Sequence, residues 1–164
     1  MELDGGYDRP RSRPATRRRP AQVPPLRPQM ALTVEALEVY ERNGDGHTLG
    51  RHCANSPAAE SDRLARHREL PATGSFTDAT TAQRSVEACV AANRDEVADW
   101  CAGQNQRLVI DHATKEVIGA VLTRSRWAAG DTMPLPATEL RVVLRRHTGY
   151  ASGFAILTAY PRLP

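Results

Sequence analysis

The chain has 164 residues, 40% hydrophobic and 25% charged, which is room for one domain of ordinary size, or a domain of about 120 to 130 residues with a tail. Its formal charge of +3 is unevenly placed: residues 1–30 hold seven arginines against three acids, whereas residues 31–164 hold 15 basic and 16 acidic groups, so the basic balance is not a nucleic-acid footprint of the folded part. Three cysteines, Cys53, Cys89 and Cys101, with no Cys-x-x-Cys unit, argue against a disulfide-stapled secreted scaffold and a zinc ribbon, and no run of about 18 apolar residues offers a membrane-spanning helix.

Residues 1–30 alternate proline with arginine and small residues, a composition that cannot bury a core and predicts a disordered linker. A basic arm for nucleic acid or acidic lipid is the functional alternative. The N-terminus lacks the apolar segment of a signal peptide, so any export is expected to depend on something outside this sequence. Lys115 is the one lysine beside 21 arginines, a skew that fits either a GC-rich coding bias or phosphate recognition.

From residue 31 the pattern is helical first. Val34, Leu37 and Tyr40 predict a helix over Ala31–Glu41, ended by Asn43-Gly44-Asp45-Gly46. A short helical turn is expected over His47–His52. Ser56-Pro57 is a start signal, a capping hydroxyl before a proline at the first helical position, and its helix should carry Arg63 and Leu64 and run to about Leu70, where Pro71 stops it. A third helix follows Ser75-Phe76, capped at Asp78 or Thr80, with Ala82, Val86 and Val90 on one face; it continues over Asn93–Cys101, burying Val97, Trp100 and Cys101, and closes at Gly103.

Beyond Gly103 the period changes. Arg107–Asp111, Glu116–Thr123, Glu139–Arg145 and Gly153–Tyr160 are rich in Val, Ile and Leu and predict strands, with Trp127–Thr138 a loop. Helices followed by strands indicate an α+β domain with an antiparallel sheet.

Two clusters hold the residues that chemistry can use. His47 and His52, behind a glycine-rich entry and followed by Arg63, combine groups that exchange protons near neutral pH with a fixed positive charge suited to phosphate. As metal ligands the histidines lack further partners at informative spacing; as surface or capping residues they would be ordinary; as general acid or base, one of them needs a cation and hydrogen-bond donors nearby. Thr158 and Tyr160, two apart on the last strand, share one face, with Leu157 and Ala159 turned to the core; the two hydroxyls either serve one ligand or fill a half-polar face. His67, His112 and His147 are expected to face solvent. No glycine-rich phosphate loop or nucleophile elbow is present.

Taken in order, Gly46-His47-Thr48-Leu49-Gly50-Arg51-His52, Arg63-Leu64, Ser75-Phe76, Trp100, Ile118-Gly119, Arg141-Val142-Val143-Leu144-Arg145 and Ile156-Leu157-Thr158-Ala159-Tyr160-Pro161 resemble one family. It is the bacterial ribonuclease A-like C-terminal toxin domain of contact-dependent growth inhibition and related polymorphic toxins, matched from about Val39 to Pro161. The resemblance implies a kidney-shaped α+β fold, helices packed on a curved antiparallel sheet, without the disulfides of pancreatic ribonuclease. It also implies metal-independent RNA cleavage with no cofactor, and a cognate immunity protein that blocks the site. By position the family's catalytic histidine matches His52, its arginine Arg63, and its threonine and tyrosine Thr158 and Tyr160.

The chain departs from many relatives at Cys53-Ala54-Asn55, where they carry Val-Gly-Lys, so a cation is missing. The expected chemistry is attack of a ribose 2′-hydroxyl on the adjacent phosphorus to give a 2′,3′-cyclic phosphate, with tRNA a candidate substrate. The second proton is expected to be handled by His47, with Tyr160 behind it because a free phenol titrates at about 10. The expected setting is a larger delivered effector acting in the cytoplasm of a target bacterium. A non-catalytic RNA- or protein-binding module on the same fold is the alternative, and a purely structural domain the third.

Overall fold

The computed structural model describes residues 32–164, so the linker expected over residues 1–30 lies outside the described residues. The expected α+β class holds, with every strand pairing antiparallel, but the strands form two three-stranded sheets and one of them lies among the helices. The elements are α1 (Leu37–Arg42), α2 (Thr48–His52), α3 (Pro57–Arg66), β1 (Ala72–Phe76), α4 (Ala79–Ala92), α5 (Arg94–Ala102), β2 (Arg107–Ala113), β3 (Gly119–Thr123), α6 (Arg124–Ala128), β4 (Leu135–Ala137), β5 (Glu139–Arg146) and β6 (Phe154–Arg162). One sheet has the order β1-β3-β4 and the other β2-β5-β6.

Local chemistry explains the helix starts. Ser56 accepts from the Ala59 N–H with Pro57 behind it, and Asp78 accepts from the Thr81 N–H, each satisfying a donor that the first turn leaves open. The first helix is shorter than its periodicity predicts. Residues 32–36 are not helical, because Gln83 of α4 takes the Leu37 N–H at 2.8 Å and donates to Glu35 O at 3.2 Å. A side chain distant in sequence thus caps α1. The third helix breaks at Asn93, whose amide donates to Cys89 O and Asp111 O.

Three further departures concern the sheets. β1 lies among the helices, on a segment, Ala-Thr-Gly-Ser-Phe, that carries no strand periodicity; it is a strand because β3 pairs with it over its full length. The stretch Trp127–Thr138 is not all loop, since α6 ends in it and β4 pairs with β3. The strand expected from Glu116 starts only at Gly119.

The main core lies between α4–α5 and the β2-β5-β6 sheet: Ala82, Val86, Val90 and Val97 meet Ile110, Leu140, Val142, Leu144, Phe154 and Ile156, each large side chain contributing about 1.5–3 kcal/mol on burial. The two sheets meet where the end of β6 crosses β1. A Cβ on Gly74 would stand 2.4 Å from Pro161 O, so only glycine permits that approach. The three cysteines are free, and no helix of the described residues is long and apolar enough to cross a membrane.

Ala54 links α2 to α3 with φ 55°, the left-handed region in which a Cβ is strained. Its N–H is held by Phe76 O at 2.9 Å, which keeps the conformation in place. Ala54→Gly is expected to raise the unfolding free energy by roughly 0.5–1 kcal/mol, read as a higher denaturant midpoint at unchanged slope.

Candidate active site

Helix α2 is docked onto β6 by backbone and side chain together. His47 N–H donates to Leu157 O at 3.1 Å, and the buried Thr48 Oγ1 accepts from Ala159 N–H at 2.9 Å. Leu157 is available because the β5–β6 register slips between Val143 and Leu144, pairing Thr158 and then Ile156. Gly46 permits the approach, since a Cβ there would lie 2.4 Å from Ile156 O. Thr48, which sequence patterning presents only as part of a motif, is therefore the residue that sets the distance between the two clusters.

His52 ends α2 and is 7% exposed. Its Nδ1 stands 3.0 Å from Gly74 O; a carbonyl only accepts, so Nδ1 carries the hydrogen and Nε2 keeps a free lone pair. Arg63 Nη1 is 3.4 Å from that Nδ1 and donates to Arg51 O at 3.0 Å, so toward His52 it acts as a charge. Burial first, then the cations Arg63 and Arg51 and the neighbouring His47, pushes His52 down to about 4 against the bond to Gly74. His47, half-buried at the start of α2, is also lowered, by burial and then by Arg51.

The structure brings together all five residues singled out above. His52 lies 6.4 Å ring to ring from His47 and 5.3 Å from Tyr160. His47, His52, Arg63, Thr158 and Tyr160 all line one cleft of about 590 Å³. Thr158 Oγ1 is shielded there without a hydrogen-bond partner, a costly state for a hydroxyl unless a ligand completes it. Ala159 is in the core, as alternation predicts, whereas Leu157 is only half-buried and serves the α2 contact.

Arg141 and Arg162, not anticipated as site residues, also line the cleft. Both are paired: Asp111 takes Arg141 through two bonds of 2.8 Å and Arg162 through one of 2.6 Å, and Glu139 stands 3.9 Å from Arg162 Nε. The alternating Arg-Val-Val-Leu-Arg of β5 could have signalled Arg141, which pairs with Tyr160 across the ladder. Asn55 does not line the cleft; its side chain donates to Arg51 O and Glu60 Oε1. The cation missing at that position is thus not missing from the cleft itself. Of the other histidines, His67 is exposed, but His112 and His147 are half-buried, and His147 Nε2 faces Asp45 at 3.2 Å.

An α+β domain whose cleft gathers imidazole, guanidinium and hydroxyls in this way has the architecture of an RNase A-type domain. The chain belongs to the family described as the bacterial CdiA-CT RNAse A domain, which matches residues 46–161. Among solved structures it is similar to the CdiA-CT/CdiI complex from Y. kristensenii 33638, with 27% identity and a TM-score of 0.63 over 71% of this chain and 99% of that one. No match was found among curated proteins.

Because His52 is buried neutral, the unfolded chain takes up a proton in acid before the folded one does. Stability is expected to be full above pH 6.5 and to fall between pH 6.5 and about 4, by about 3 kcal/mol in all. Urea unfolding at stepped pH measures this, and His52→Gln should flatten the slope across that window.

Proposed function

We propose that the chain is a metal-independent endoribonuclease in which His52, Arg63, Thr158 and Tyr160 act on one phosphodiester. The observation that carries this reading is a partnerless hydroxyl, Thr158 Oγ1, in the same cleft as a neutral imidazole whose Nε2 lone pair is free. A group held neutral with its other nitrogen committed is a base, and the base needed first is one that removes the ribose 2′-hydroxyl proton.

His52 Nε2 takes that proton, the 2′-oxygen bonds to phosphorus, and the phosphorus–O5′ bond breaks opposite it. The products are a 2′,3′-cyclic phosphate and a free 5′-hydroxyl. Charge that builds on the non-bridging oxygens meets Arg63 and the Thr158 hydroxyl, already fixed in place by the fold. The departing O5′ needs a proton. Both histidines are lowered below their ordinary range, so neither stores one at neutral pH; the Tyr160 phenol, beside His52, is the donor, with His47 closing the cleft edge.

The domain also fits the toxin end of a larger effector that acts in the cytoplasm of a target bacterium, on tRNA or RNA more broadly. The relative in the solved complex is bound to CdiI, which supports a cognate immunity protein for this chain.

Incubation with total tRNA in EDTA tests the reaction. Cleavage should survive the chelator and leave cyclic phosphate ends, and His52→Ala should slow it by about 10²- to 10⁴-fold. Binding without cleavage would reduce the domain to a nucleic-acid-binding module. For Arg63→Ala a loss of about 10²- to 10³-fold is expected with the melting temperature near that of the parent; a variant that unfolds instead makes Arg63 a structural residue.

The pH profile separates the two proton donors. With Tyr160 as donor the rate climbs as His52 loses its proton and then stays level through about pH 5 to 8, the range in which an imidazolium would titrate. A bell-shaped maximum inside that range assigns the second proton to His47.

A further inference from the structure

Arg63 belongs to two concavities. Besides the cleft it lines an adjoining groove of about 480 Å³ with Arg51, Asn55, Arg66, His67 and Glu69. Arg51 precedes His52 on α2, and Arg63 and Arg66 lie one turn apart on α3, so the groove runs on from the cleft along two helices anchored to β6 and β1.

Seven arginines elsewhere in the domain are engaged. Arg42, Arg68, Arg94 and Arg107, like those of the groove, have no carboxylate within ion-pair distance among the described residues; what sets the groove apart is that three such arginines line one concavity. Arg141 and Arg162 share Asp111, Arg145 is held by Asp45, Arg126 by Asp131 and Arg84 by Glu116. Arg124 and Arg146 are spent on backbone carbonyls at the ends of α3 and α5. Among the described residues, no carboxylate lies within ion-pair distance of Arg51, Arg63 or Arg66. Arg63 donates to Arg51 O, and Arg66 Nε to Asp62 O in its own helix, while the Arg51 guanidinium makes no hydrogen bond to the described residues. The groove's acid, Glu69, is engaged by His67 at 3.1 Å. Three arginines lining one groove without a carboxylate partner among the described residues repel one another, and the N–H groups they do not spend on backbone carbonyls match phosphate oxygens.

We propose that this groove is a second phosphate subsite, taking the backbone phosphate that neighbours the one in the cleft, with the strand crossing Arg63. The proposal rests on the reading of the cleft as a phosphodiester site and extends it to a substrate class: single-stranded RNA, or a loop of structured RNA, longer than a dinucleotide. Phosphate contacts of this kind position a strand without reading its bases.

The test uses a fluorescent single-stranded DNA octamer, which lacks the attacking hydroxyl and so reports binding alone, titrated against the full chain at several salt concentrations. Arg51→Ala and Arg66→Ala should each weaken binding roughly fivefold, and the double variant should flatten the salt slope by about 1.4, at about 0.7 per single-strand phosphate. Arg107→Ala removes an exposed arginine outside both concavities and should leave affinity within twofold. The subsite is overturned if the parent chain does not bind the octamer, if the double variant binds like the parent, or if Arg107→Ala weakens binding equally. RNA cleavage by the parent, read separately, keeps the two claims apart. RNA cleavage by the parent with unaltered binding in the arginine variants removes the groove alone; binding that the parent shows and the arginine variants lose, in a parent that does not cleave RNA, leaves the groove and removes the nuclease.

Discussion

The site depends on the seating of a five-residue helix on the edge of a bulged strand. Thr48 Oγ1 accepts the Ala159 N–H and Leu157 O accepts the His47 N–H, so α2 occupies backbone groups of β6, among them the carbonyl of Leu157, the residue that the β5 ladder skips at the register slip. A buried backbone donor left unpaired costs about 1–3 kcal/mol, and that penalty ties the helix to one position. Since His47 and His52 flank α2, and Thr158 and Tyr160 flank the strand atoms it holds, the same contacts fix the distance between imidazole and hydroxyl.

Around that contact, the charges are arranged in two regimes. On the β5–β6 side of the cleft the guanidiniums of Arg141 and Arg162 are bound by Asp111, with Glu139 beside Arg162, which makes that wall rigid and close to neutral. On the α2–α3 side Arg51, Arg63 and Arg66 have no such partner among the described residues. The imidazole of His52 stands between the two, stripped of water and fixed in one tautomer by Gly74 O. A strand of phosphates would be drawn by the second side and positioned against the first.

The same contrast shows how far patterning reaches. Ser56-Pro57 and Asp78 announce their helices because an N-cap acts through neighbours three residues away, and both caps are made as expected. β5 and β6 announce themselves through alternation. β1 does not, because Ala-Thr-Gly-Ser-Phe is a strand only by virtue of β3 beside it and Pro161 against Gly74. α1 loses its first turn to Gln83, a residue 46 positions from Leu37, which no local window contains.

For the cleft, order and spacing were enough to pick out His47, His52, Arg63, Thr158 and Tyr160 as residues that line it together, since residue type limits which side chains can move protons or hold phosphate. The amino-acid sequence alone thus determined the α+β class, the principal helix starts and the chemical identity of the cleft. Only the tertiary structure decided that His52 is buried with its Nδ1 against Gly74 O and its Nε2 free, that Thr48 joins the two clusters, and that Arg51 and Arg66 have no carboxylate partner among the described residues while Arg141 and Arg162 do. Protonation state, tautomer and ion pairing follow from burial and from partners tens of residues away, and those become neighbours only when the chain has folded.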